Sequence, residues 1–263
     1  MNHLLAIEWL KIKRYRTFWV LIGLFAFLFP LLNFGINGGL FKFGPGIDIL
    51  GSSYSFGAVW SNVCFYASHF VIFLSILMAI LVTNEFSFRT NRQNVIDGQS
   101  RMQFYHAKWG IAVVMALATT VFVFLTGVGM GISKGADWGG FTTNISKVLW
   151  LAILSLNYYG FALLLSLLVK KSGLVIGLLL LYYMMIETMI HSFFYYKERL
   201  FAADLFLPLE SSDQMLRFPT LESLEQTAKV TSSIPVWGYA IASLCWITLY
   251  YIIGRARLLR SDW

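Results

Sequence analysis

The chain has 263 residues, of which 58% are apolar or aromatic and only 13% charged. Soluble domains carry about 25% charged residues, so a soluble enzyme or binding module is excluded. The formal net charge of +7 invites a nucleic-acid reading, which the placement of the basic residues excludes.

In chain order, the first element is an amphipathic helix over Leu4 to Arg16. Leu5, Trp9 and Ile12 recur at helical spacing, continuing to Trp19, while Glu8, Lys11 and Arg14 share another face. Such a helix lies in the headgroup layer with its charged face toward water. Six apolar runs follow, each close to the roughly 20 residues that cross the hydrocarbon as a helix. They cover about Thr17–Phe34, Ser61–Val82, Trp109–Ile132, Val148–Val169, Gly173–His191 and Trp237–Ile253. The first is too long for a signal peptide and reads as a retained span. A β-barrel would need short alternating stretches instead. The expected fold is therefore an all-α polytopic membrane protein forming one transmembrane domain over residues 1–263.

With the N-terminus placed in the cytoplasm, 13 of the 20 basic residues fall in the inner segments and both termini are cytoplasmic. Lys11, Lys13, Arg14 and Arg16 lie before the first span, and Arg89, Arg92, Arg101 and Lys108 between the second and third. Lys170 and Lys171 separate the fourth from the fifth, and Arg255, Arg257 and Arg260 close the chain. This is the positive-inside bias of a cytoplasmic (inner) membrane protein; it suits anionic lipid headgroups and leaves no nucleic-acid partner to invoke. Trp60, Trp138, Trp150 and Trp237 near outer ends, and Trp19 and Trp109 near inner ends, read as interfacial anchors. Pro30 is expected to kink or end the first span. Gly127 and Gly131, and again Gly173 and Gly177, form G-x-x-x-G pairs that permit close helix contact, within the subunit or between subunits. Cys64 and Cys245 both fall inside spans, without metal-ligand spacing.

The segment Asn84 to Trp109, NEFSFRTNRQNVIDGQSRMQFYHAKW, is the most informative connection. Thr90 to Asp97 is long enough for about two helical turns, and Gly98 is a natural stop. Ser100 with Gln103 makes a capping box, so a new helix starts near Arg101 and continues as the third span. A short helix under the membrane, a sharp turn and a long helix upward would expose Arg89, Arg92, Gln93 and Asn94 to the cytoplasm. The last external connection, Ser192 to Pro235, is too apolar to be a free loop. It is expected to hold short rim or re-entrant helices, one of them over Thr220 to Lys229.

This layout resembles the permease subunit of bacterial ABC transporters of the type-2 (exporter) class. Sequence-like support is concentrated in residues 84 to 109. The resemblance implies that the short helix is a coupling helix seated on a separate ABC ATPase subunit, which would hold the ATP and Mg. By position, Glu85, Arg89, Arg92, Asp97, Ser100 and Arg101 match the docking loop of the family. It further implies a second permease copy or a homologous permease, with the translocation path between the two. The expected cargo is an amphipathic drug, peptide or lipid. The chain contains no G-x-x-x-x-G-K-[ST] phosphate loop and no LSGGQ-like signature, so hydrolysis would belong to the partner.

Intramembrane ionisable groups suggest function because they are costly. Glu187 and His191 share a face of the fifth span, and His69 lies at comparable depth in the second. They line a path or an external gate, or else reach headgroups by snorkelling. The sequence holds no G-x-S-x-G, H-E-x-x-H or paired intramembrane glutamates that would support an enzyme. An ATP-independent channel or secondary transporter, or a membrane anchor for a larger assembly, are the rival readings.

Overall fold

A computed structural model describes residues 2–37, 55–96, 98–193, 207–217 and 234–260. Apolar segments in hydrocarbon must satisfy their own backbone groups, and all six runs do so as helices. Helix α1 (Asn2–Ile12) precedes α2 (Arg16–Asn37). Helix α3 (Phe56–Ser87) is followed by the short α4 (Thr90–Ile96) and the long α5 (Arg101–Ser133). Next comes α6 (Ser146–Val169), then a fifth span built in three pieces. These are α7 (Ser172–Leu181), a π-helical stretch (Tyr182–Ile186) and α8 (Glu187–Phe193). A stub formed by α9 (Glu210–Asp213) and a 3-10 turn (Gln214–Leu216) precedes the last span, α10 (Val236–Arg260). Among the described residues, six helices are long and apolar enough to cross a membrane.

Helices α3 and α6 form the centre of the bundle and pack most extensively against each other. In its most apolar stretch α6 is 67% buried, against 17% for the fifth span. The fifth span therefore turns most of its apolar surface outward. Helix α2 runs through Pro30 to Asn37, so this proline does not end the span.

Close approach in the bundle depends on glycine. A Cβ at Gly127 would sit 2.5 Å from Cζ3 of Trp60, and one at Gly131 would sit 2.2 Å from Phe56. The first G-x-x-x-G pair is thus an intramolecular socket for two aromatic rings. Gly173 and Gly177, by contrast, have open space where a Cβ would be. Trp60 corrects its reading as an interfacial anchor. It is fully buried, stacks on Phe124 with centroids 5.3 Å apart, and donates from Nε1 to the Phe141 carbonyl at 2.8 Å. Trp109 and Trp150 are buried as well, whereas Trp19, Trp138 and Trp237 are exposed. The Trp60 indole, turned inward, finds both packing and an acceptor, which an end-of-span position alone does not reveal.

Gly127→Ala should destabilise the protein by about 1–3 kcal/mol through overpacking against Trp60. Gly129→Ala, where nothing lies within 4 Å, should not. Thermal unfolding of both variants in detergent checks the difference.

Candidate coupling site

The connection from α3 to α5 is shaped by two residues in the left-handed region, Arg89 (φ 57°) and Gly98 (φ 90°). Arg89 is exposed and turns the chain out of α3 into α4. After α4, the Gln99 N–H donates to the Asn94 carbonyl at 2.9 Å, closing the helix around Gly98 in a Schellman pattern. The expected capping box then starts α5. Ser100 Oγ accepts from the Gln103 N–H at 3.1 Å, and Gln103 Oε1 accepts from the Ser100 N–H at 2.8 Å. The short helix found, Thr90–Ile96, lies within one residue of the expected one. Its flanks are apolar and bare: Phe88 is 73% and Ile96 83% exposed. The side chains of Arg92 and Asp97 lie outside the described residues.

Behind this loop sits a buried ionic cluster. Lys108, only 1% exposed, donates to Glu8 Oε2 and Glu85 Oε1, each at 2.5 Å. Lys11 reaches the same two carboxylates at 3.2 and 3.3 Å and the Asn94 Oδ1 at 3.4 Å. Four elements are joined this way: α1 through Glu8 and Lys11, α3 through Glu85, α4 through Asn94 and α5 through Lys108. Burial works to raise the Glu8 pKa, but the ammonium groups of Lys108 and Lys11 outweigh it and hold Glu8 below its ordinary 4.5. For Lys11, burial works downward and Glu85 and Glu8 prevail, raising it above 10.5.

The cluster corrects the expected face of α1. Glu8, read as water-facing, is 3% exposed, while Trp9 and Leu10 are about half exposed. The helix points Glu8 into the protein, where Lys108 needs a counter-ion, and turns Ile7, Trp9 and Leu10 outward while Ile12 stays buried. Glu85, placed by resemblance in the docking loop, is likewise turned inward at 8% exposure. A role in coupling would therefore pass through Lys108. Sequence reasoning missed Lys108 as a core residue. The signal was present: Phe104, Lys108 and Ile111 follow i, i+4, i+7 on the buried stripe of α5.

The same end of α5 is tied to α10. Arg101 Nη1 donates to the Leu259 carbonyl at 3.2 Å, helping to satisfy the C-terminal end of α10. Tyr105 donates to the Tyr251 carbonyl at 2.7 Å. His106 stacks on the Tyr251 ring, with His106 Nε2 and the Tyr251 hydroxyl 2.9 Å apart.

At the opposite end, Glu187 is 3% exposed, and its Oε1 accepts the backbone N–H groups of Leu209 and Glu210 at 2.8 and 2.6 Å. The stub is further fixed by Asn157, which donates to the Pro208 carbonyl at 2.7 Å, and by Tyr158, which donates to Asp213 at 2.8 and 2.9 Å. Burial, with Glu210 and Glu187 adding to it, pushes Asp213 well above its ordinary 3.8. His69 lies apart on the exposed side of α3, its Nδ1 3.1 Å from the carbonyl of Phe65. No hydrogen bond joins it to Glu187 among the described residues. The side chain of His191 and the segment Thr220–Lys229 fall outside them.

Six spans, with a short polar helix exposed at one end and a stub at the other, define a polytopic membrane protein. Residues 4–188 match the model of a family described as ABC-2 family transporter protein. The chain belongs to this family and is an ABC transporter permease. A search among curated proteins gave no match.

Lys108→Met should cost about 3 kcal/mol, because it leaves two buried carboxylates to share the single, longer-range partner Lys11. Neutralising them as well, with Glu8→Gln and Glu85→Gln, should recover part of the loss in thermal unfolding. A lowered carboxylate pKa contributes stability above the ordinary value and loses it as pH falls through the folded value. The unfolding midpoint should therefore drop more steeply below pH 4.5 in the wild type than in Glu8→Gln.

Proposed function

We propose that this permease exports an amphipathic drug, peptide or lipid, driven by ATP that a separate ABC ATPase binds with Mg and hydrolyses. The observation that carries the reading is the pairing of an exposed docking helix with the ion cluster behind it. Phe88, Arg89 and Ile96 stand free at the loop, two of them apolar side chains facing water. Such groups stabilise a complex when a partner's groove covers them. Motion imposed on α4 reaches α1, α3 and α5 through Asn94, Lys11, Glu85 and Lys108 as one body. ATP binding would close the ATPase pair, move this body and turn the path outward by rigid-element alternating access.

Two permeases would enclose the path. The open Gly173 and Gly177 face, beside exposed Leu174, Leu178 and Leu181, supports a second copy or a homologous permease as neighbour. The basic bias at the α1 end supports placing that end, with both termini, on the cytoplasmic side of the cell membrane.

Co-expression with candidate ABC ATPases, with a tag on the permease alone, tests the docking. Phe88→Asp combined with Ile96→Asp should reduce the co-purified ATPase at least about tenfold, as expected for loss of a hot spot. The permease itself should keep its thermal unfolding profile. Undiminished co-purification would remove α4 as the docking element.

A further inference from the structure

A cavity of about 180 Å³ lies beside the ion cluster, between α1, α3 and α5. Its walls combine Glu8, Lys11, Glu85 and Lys108 with the apolar side chains of Ile12, Leu81, Phe88 and Ile111. The four charged groups cancel, so the cavity has no net preference for an anion or a cation. Two of the lining residues have hydrogen-bonding capacity to spare. Glu85 is more than nine-tenths buried, yet its Oε2 accepts no hydrogen bond among the described residues. Tyr15 accepts from Asn84 Nδ2 at 2.7 Å, which leaves its own O–H to donate. Lys11 is one-third exposed at the rim, and its contacts are all longer than 3 Å. The exposed Trp9 and Leu10 of α1 place this rim in the headgroup layer.

A spare carboxylate oxygen, a spare hydroxyl donor and a loosely held ammonium, set in a neutral site with apolar walls, match a zwitterion on an acyl chain. We propose that the cavity holds the phosphoethanolamine headgroup of a membrane phospholipid. Its primary ammonium donates to Glu85 Oε2, and its phosphate accepts from Tyr15 and Lys11. The apolar wall of Ile12, Leu81 and Ile111 receives the start of the acyl chains. The lipid thereby becomes a fifth member of the joint between α1 and the docking loop. This holds whichever ATPase docks, since it rests on the cavity and not on the partner.

The test titrates the purified full chain with phosphatidylethanolamine and its mono-, di- and trimethylated forms, with bound lipid read by native mass spectrometry. Each methyl removes one N–H donor while the positive charge stays. Affinity should fall about tenfold from the primary amine to the trimethyl form, the scale of one charged hydrogen bond. Glu85→Gln should abolish that discrimination. Tyr15→Phe, a milder change that keeps the ring, should weaken all four lipids severalfold and preserve their order. Equal binding of the primary and trimethyl lipids by the wild type would overturn the proposal. So would a preference for phosphatidylglycerol, which marks a plain anion site. Soluble O-phosphoethanolamine competing as well as the lipid would remove the membrane lipid as occupant.

Discussion

A lysine ammonium with almost no exposure sets the terms for one end of this molecule. Taking such a charge out of water costs several kcal/mol unless it is paired with good geometry. Lys108 meets that demand with one carboxylate from α1 and one from α3. The consequence for α1 is a glutamate turned inward next to a tryptophan turned outward. The position of α1 is therefore dictated by the bundle, and α1, α3 and α5 are obliged to meet at one point. Pulling Lys108 away from both carboxylates would leave a buried charge unpaired in a low dielectric, which resists motion at the joint.

The other end solves a different problem with the same currency of buried polar groups. A stub that carries α9 leaves free N–H groups at its start, and Glu187 accepts two of them. Asn157 and Tyr158, both on α6, hold the rest of the stub. These two polar residues of α6 serve the stub, while Ser166 bonds to α3 and Tyr159 to α5. The ion cluster at the α1 end and the stub at the other end are both anchored to helices of one central pair.

The spans were legible because length and hydropathy alone determine which segments cross a bilayer. The α4–α5 turn was legible for a local reason: Gly98, Ser100 and Gln103 have a fixed chemistry over a few residues. Tertiary pairings were not legible. Nothing within α1 says that Glu8 meets Lys108, a hundred positions away, and the charged face of α1 looks the same whether it meets water or a buried lysine. Trp60 shows the same limit, since an indole near a span end fits an interface or a core equally well until Gly127 is known to leave room for it. Glu187 stood out as a costly group, but that its carboxylate holds a backbone turn depended on chain more than twenty residues further on.

The π-helical stretch at Tyr182–Ile186 bears on how this span can change over evolutionary time. A π turn accommodates one residue more than an α turn, and one residue is worth about 100° of rotation about the helix axis. Met184, Met185 and Met189 face outward around it, while Glu187 faces in. Deleting one residue of the stretch would let the π turn close to an ordinary α turn and leave Glu187 on its inward face, whereas the same deletion in α7 has no such slack and would carry Glu187 round toward the methionine side, away from the backbone it caps. The span is thus permissive in count at the π stretch and strict before it. Homologous chains can be expected to lose one residue within Tyr182–Ile186 while preserving the spacing between Lys171 and Tyr182.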